Sequence, residues 1–433
     1  MTTEPQDTSR RHEVEAHHWN ALYLLSALCL ILMTLAVGTQ ALYLQSVLGI
    51  APAEAGTINA NIMALAEALE LVVIGGVGYL SDRIGRVRIL VLGFLVAGVG
   101  ALLASFSASI AQMVGCSGLL LYYLARLVLA AGIGAVWPQV AALAGDYTSE
   151  ANRTHLLANN IFMMAFGKTL VYLILMRIPV QAGVVCTMLL IALTAFVGAW
   201  LTRRCLIDVA PRLRQHGIPW RTIGHLLRDE PRLRVCLATA FLTRSDMVIT
   251  AIFLMLWYVF SAHSVGVGDA EAAAQGGMMI GLAGVMVMLS IPVWKRIIHR
   301  YGRLPAIIAG LALSGMGFVL MGLIEHPFEG WIVLPVLLAA AGQSGCFVAP
   351  QIVTVDVSPP DMLGSVLSVF NVVGSLGIIF FVQVGGVLFD LLGPSSPFVF
   401  VGLANFVVIA YALYTLAPGA SPDVRPVSPW WDE

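Results

Sequence analysis

Apolar residues along this chain come in unbroken runs of about 20, separated by short polar breaks, and they do not alternate. At 1.5 Å of rise per residue such a run crosses the ~30 Å hydrocarbon layer of a bilayer as one helix. Inside that layer the backbone finds no water, so crossings must be helices or a closed barrel, and continuous rather than alternating apolar runs select helices. Twelve crossings are expected at about 20–44, 57–80, 88–107, 113–138, 156–177, 182–202, 235–261, 276–298, 304–324, 331–354, 363–388 and 396–417. An even number returns the C-terminus to the side of the N-terminus. Composition agrees: 59% of the 433 residues are hydrophobic and 11% charged, with a mean hydropathy of +0.89. An all-α, multi-pass membrane protein follows, and soluble enzyme classes are set aside.

The net charge of −1 says little, but its distribution orients the chain. Of 23 Lys and Arg, 19 fall in tails and loops on the side of both termini, whereas the other side gathers Glu54, Asp269, Glu271, Glu325, Glu329 and Asp390. By the positive-inside rule both termini are cytoplasmic. The expected organisation is a tail (1–19), a six-helix bundle (20–202), a basic linker (203–234), a second bundle (235–417) and a tail (418–433). The linker carries eight arginines from Arg203 to Arg234 against Asp208, Asp229 and Glu230; it reads as a topology-setting loop in contact with membrane lipid, not as a nucleic-acid site. No cleavable leader is expected. The six cysteines show no pairing or zinc spacing.

One polar break is distinctive. Gly78 to Arg88 reads G-x-x-x-D-R-x-G-R-x-R, and in the second half of the chain His299-Arg300-Tyr301-Gly302-Arg303 repeats the pattern of Asp82-Arg83-Ile84-Gly85-Arg86. The stretch resembles the loop between the second and third helices of the major facilitator superfamily. The resemblance implies two related six-helix halves and alternating access, with Gly78, Asp82, Arg83, Gly85 and Arg86 helping to hold a cytoplasmic gate. Arg126-x-x-x-Ala130-x-Gly132-x-Gly134, then Asp146, Glu150 and Arg153, also looks like that family's fourth helix and following loop. Gly342, Gly345, Pro350, Asp356 and Asp361 hold comparable places in the second half, where nothing matches Arg126.

Six ionisable residues lie near mid-span: Glu67, Glu70, Arg126, Lys168, Arg244 and Asp246. Such charges cost about 2.5–3.5 kcal/mol each at the bilayer centre, so they face a bundle interior or cavity and mark coupling or substrate binding. Glu67 and Glu70, three apart on one helix face, can share a proton or chelate one cation. Some sugar–cation symporters of the superfamily carry acids on the same helix, a resemblance in kind. A static ion-pair network within the first bundle is the structural alternative. Arg244 and Asp246 either pair with each other or reach across the halves. Asn59, Asn61, Gln40, Gln139, Gln343 and Gln351 are candidate cavity residues, with interhelical packing as the other reading.

Gly167-Lys168-Thr169 lacks the first glycine of a phosphate loop, and Asn152-Arg153-Thr154 lies on the wrong side for glycosylation. No nucleotide, hydrolase or haem motif is present, so no cofactor is expected and a gradient must drive transport. All nine histidines lie in tails, loops or helix ends. Carboxylates, amides and Met163, Met164, Met278, Met279, Met286 and Met288 suit protons or hard-to-borderline cations, although methionine in apolar helices is usually filler. Arg244-Ser245-Asp246, the run from Ala340 to Cys346 leading to Ala349-Pro350-Gln351, and the run from Phe381 to Gly386 resemble superfamily members of bacterial magnetosome membranes. That resemblance implies an iron or other divalent-cation substrate and a bacterial inner membrane or one derived from it. The reading is a monomeric secondary transporter of a small molecule or ion, coupled to protons or another cation. Proton-driven carriage of an organic solute or drug, and a non-cycling receptor or assembly protein, are the alternatives.

Overall fold

The computed structural model describes residues 14–148, 153–209, 220–358 and 363–415. Among them the long elements are all α-helices. The first half comprises α1 (Ala16–Gly38), α2 (Gln40–Ser46), α3 (Pro52–Ile84), α4 (Arg86–Ser105), α5 (Ser107–Val114), α6 (Gly118–Asp146), α7 (Arg153–Leu173) and α8 (Ile178–Cys205). After α9 (Trp220–Asp229) come α10 (Pro231–Ser261), α11 (Asp269–Tyr301), α12 (Arg303–Met321), α13 (Val333–Val357), α14 (Leu363–Leu392) and α15 (Ser396–Thr415).

Eleven stretches are long and apolar enough to cross a membrane, and one of them, Asn159–Cys205, runs for 47 residues. As one helix it would measure about 70 Å, twice the hydrocarbon thickness. Instead α7 and α8 both lie along α1, so the chain turns back between them, and Gly183 (φ 81°) breaks the helix just after the reversal. Twelve crossings result, with α1 and α2 forming one and α5 and α9 standing apart. The fourth crossing begins at Gly118, later than the apolar run suggested, because Gly115 (φ 76°) ends α5 there.

The crossings form two six-helix bundles related by an internal repeat that is visible contact by contact. Arg86 pairs with Asp146, and at the matching places of the second half Arg303 pairs with Asp356. Gly132 meets the backbone of Ala97 as Gly342 meets that of Ser314, and Gly100 meets Leu129 as Gly317 meets Ala339; a Cβ at any of these glycines would overlap the facing backbone nitrogen. Small residues thus let α4 approach α6, and α12 approach α13, at backbone distance. Gly85 and Gly302 carry positive φ of 102° and 89° at the two loop turns. Both are followed by extended ψ, a combination open to glycine alone at low cost.

Gly85 has a second constraint. Asp208, just past α8, accepts a hydrogen bond from the Val87 amide at 3.0 Å, and any side chain at Gly85 would strike its carboxylate. The linker therefore opens by fastening the start of α4. Its helix α9 presents Leu226 and Leu227 to a small apolar cluster of Leu233, Val366 and Val369. Glu150 and Asp361 lie outside the described residues, as do residues 1–13 and 416–433, the surroundings of Gly78, and the side chains of Tyr79, Asp82 and Arg153; the gate role expected of Gly78 and Asp82 rests on their sequence.

Candidate functional site

The bundles meet chiefly through α3 against α14 and α7 against α11. Near the start of α3, the Asp390 carboxylate of α14 accepts from the Gly56 and Thr57 amides, both at 2.7 Å. Glycine is required there, since a Cβ at Gly56 would stand 2.5 Å from the Gly386 carbonyl oxygen and 2.7 Å from the carboxylate. Gln383 Nε2 donates to Asn61 Oδ1 at 2.9 Å one turn deeper, and Gln45 Nε2 to Asp269 Oδ1 at 3.1 Å. Gly277 and Gly281 of α11 receive Met176, Tyr172 and Leu173. All of these lie on the side away from the linker.

Toward the linker side the bundles part. Gly75 and Gly76 of α3 have open space beside them, and Val72 is 73% exposed. There α6 packs on helices of its own bundle, and α13 on α10, α11 and α12. A crevice between the bundles thus opens toward the linker and is shut at the other end.

Of the mid-span charges, Glu67, Glu70, Arg126 and Arg244 cluster about this crevice. Arg126 of α6, 4% exposed, donates from Nε to Gln40 Oε1 at 3.2 Å and from Nη2 toward the Met63 sulfur at 3.8 Å. Gln40 Nε2 in turn donates to Asn59 Oδ1 at 3.0 Å. Glu70 of α3 interacts electrostatically with Arg126 and with Glu67. Gly134, from the spaced glycines after Arg126, lets α6 approach it: a Cβ there would stand 3.2 Å from Glu70 Cα.

Glu67, one turn earlier, faces the other bundle, where it interacts with Ser375 of α14 and Arg244 of α10. Arg244 lays its stem over Gly374 and donates from Nη1 to Asn371 Oδ1 at 3.0 Å and to its carbonyl at 3.1 Å. Glu67 therefore interacts across the bundles, with the Ser375 hydroxyl and with the charge of Arg244.

Asp246 goes elsewhere. Helical residues two apart point to different faces, so it does not meet Arg244. It is fully buried, accepting from Ser314 Oγ at 3.4 Å and lying near Asn405 and Cys346. The two residues do not pair with each other: Arg244 is held by Asn371 of its own bundle, with Glu67 of the other bundle acting on it electrostatically, and Asp246 sits inside the second bundle.

Lys168 of α7 lines a cavity of about 100 Å³ together with Thr169, Met247, Thr250, Met288 and Gln343. Gln343 Nε2 donates to Thr250 Oγ1 at 3.3 Å. Of the methionines noted in the sequence, Met288 reaches this cavity; Met247 was not singled out. Arg83 and Arg86 remain at the linker-side ends of α3 and α4, and Arg86 is held within its own bundle by Asp146. Among the described residues no group of three or more His, Cys, Asp or Glu could hold a metal ion.

Sequence reasoning missed Asp390, Asn371 and Ser375. Asp390 had been read as one more acid of the far loops, and its spacing from Gly386, one helical turn earlier on α14, was the available signal.

The family model described as Major Facilitator Superfamily matches residues 22–289 and 245–431. The magnetosome protein MamH of Paramagnetospirillum magneticum is 53% identical over 93% of this chain and 94% of its own length. The magnetosome protein MamZ of the same organism is 40% identical over 93% of this chain, which spans 63% of MamZ. A crystal structure of the nucleoside transporter NupG superposes with a TM-score of 0.76 at 11% identity, covering 92% of this chain and 100% of that one; at that identity the likeness is one of fold.

Proposed function

The chain belongs to the major facilitator superfamily, and from that premise we propose that it is a secondary transporter moving a small solute by alternating access, coupled to protons or another cation through Glu67 and Glu70. It is an integral, multi-pass membrane protein whose family and fold are those of transporters. The halves at 20–202 and 235–417 act as the two moving bodies, with both termini and the linker in the cytoplasm. The crevice then faces the cytoplasm in this conformation.

One observation carries the reading. Glu67 of the first bundle interacts with Ser375 and with the charge of Arg244 in the second, inside a crevice closed at one end only. A carboxylate in that place changes partners whenever the bundles rock, so its charge is linked to which side is open. Glu70, beside it and facing Arg126, supplies a second carboxylate on the same helix face. Similarity to MamH and MamZ supports the narrower proposal of a magnetosome membrane, with iron or another divalent cation as the transported species.

The test is internal pH and solute uptake in sealed proteoliposomes, with ferrous iron, manganese, simple sugars and a cationic dye added singly, for the native chain and for Glu67→Gln/Glu70→Gln. A solute-dependent pH change that vanishes in the variant is expected. An unchanged response in the variant would reduce the glutamates to a static ion-pair network. Silence of the native chain toward every addition would favour a receptor or assembly protein.

A further inference from the structure

Lys168 is the one ionisable side chain among the described residues lining the cavity between α7, α10, α11 and α13. Each other mid-span charge is directed to groups outside that cavity. Glu67 faces Arg244 and Ser375, Glu70 faces Arg126, and Asp246 turns into the second bundle toward Ser314 and Asn405. Among the described residues no carboxylate approaches Lys168 within ion-pair distance. An ammonium at membrane depth faces a bundle interior or a water-filled cavity and pairs there with an opposite charge or with backbone carbonyls, and here no carboxylate among the described residues serves it.

Resting on the transport reading above, we propose that the solute carries a carboxylate and that Lys168 binds it. The remaining donors fit one carboxylate group of the solute. Lys168 provides a point charge with three N–H groups, Thr169 a hydroxyl, and Gln343 a second amide hydrogen beyond the one given to Thr250. Among the described residues no arginine fork is present in the lining to match a phosphate dianion. Met247 and Met288 form the apolar wall against which the carbon part of such an anion rests. The carboxylate comes either from a free organic acid or from the ligand shell of a metal chelate, and in the second case iron enters as a carboxylate complex.

The experiment is equilibrium binding to the purified full chain in nanodiscs, with lactate, citrate, ferric citrate, phosphate and ferrous chloride as separate probes. The variants are Lys168→Gln, Lys168→Arg and Thr169→Val, with the unliganded melting temperature of each recorded. Binding of lactate or citrate, weakened about tenfold or more in Lys168→Gln and largely restored in Lys168→Arg, supports the proposal. Thr169→Val, which keeps the charge, is expected to lose less. Binding of ferric citrate without citrate identifies the chelate as the source; binding of both identifies the free acid.

Equal binding by the native chain and Lys168→Gln overturns the proposal, as does binding of phosphate or ferrous chloride alone. Should Lys168→Gln not fold, a native-like Lys168→Arg with no carboxylate binding overturns it equally. Ferrous uptake in proteoliposomes that persists in Lys168→Gln would leave the transport reading standing and remove this one.

Discussion

Removing the Asp390 carboxylate should release the closed end of the crevice. Its two oxygens accept from consecutive amides, Gly56 and Thr57, at 2.7 Å. Hydrogen bonds to a charged group contribute about 1.5–3 kcal/mol each. Because Asp390 is only half-buried, water competes, and a value at or below the bottom of the summed range of about 3–6 kcal/mol, about 2–3 kcal/mol, is the reasonable expectation. Asp390→Ala should then shift the equilibrium between linker-side-open and linker-side-closed forms by about 30- to 150-fold, enough to bring a 99:1 bias to near parity.

Electron–electron distance measurements between spin labels at Arg88 and Arg296, one on each bundle near the linker side, read this directly. Cys116 and Cys186, the exposed native cysteines, are replaced by serine beforehand. The variant should gain a population at shorter distance, with Asp390→Asn intermediate because its carbonyl still accepts one bond. A distribution for Asp390→Ala that overlays the native one refutes the latch.

Gly56→Val, which drives a side chain into the Gly386 carbonyl and Asp390, should produce the same shorter-distance population by steric means, read with the same labels. Gly132→Val and Gly342→Val should each lower stability by about 1–3 kcal/mol or more, measured by thermal unfolding in detergent, since each places a side chain on facing backbone; an unchanged melting curve would contradict the close approach. Gly85→Ala and Gly302→Ala both incur backbone strain of about 1–3 kcal/mol. Gly85→Ala should be the worse, because the nearest atom to an added Cβ at Gly302 is Pro305 Cδ at 3.9 Å; equal losses would remove Asp208 from the account.

The twelve crossings and the repeated loop were legible because membrane spans are selected by unbroken apolarity and because glycine at positive φ leaves a mark in sequence. The ion pairs from Arg86 and Arg303 were half-legible. Asp146 and Asp356 stood at comparable places, but each is separated from its arginine by two whole crossings, and only packing brings them together. The offset that carries Asp146 onto Asp356 carries Arg126 onto Val336, which is buried, so the halves have diverged at that position.

Inter-bundle contacts were illegible for a related reason. Asp390, on the eleventh crossing, meets amides at the start of the second, and only its spacing from Gly386 sets it apart in sequence from Glu325 or Glu329. The separation of Arg244 from Asp246 was legible in principle, since helical residues two apart do not share a face.

Alternating access itself is tested most directly by tying the closed end shut. Asn61→Cys and Gln383→Cys, whose native side chains hydrogen-bond across the bundles, can be bridged by a short cleavable thiol cross-linker in proteoliposomes, in the background lacking Cys116 and Cys186. With the transported solute in the assay, the account predicts that uptake stops on cross-linking and returns on cleavage. Uptake that continues at the native rate through the bridged protein would contradict it.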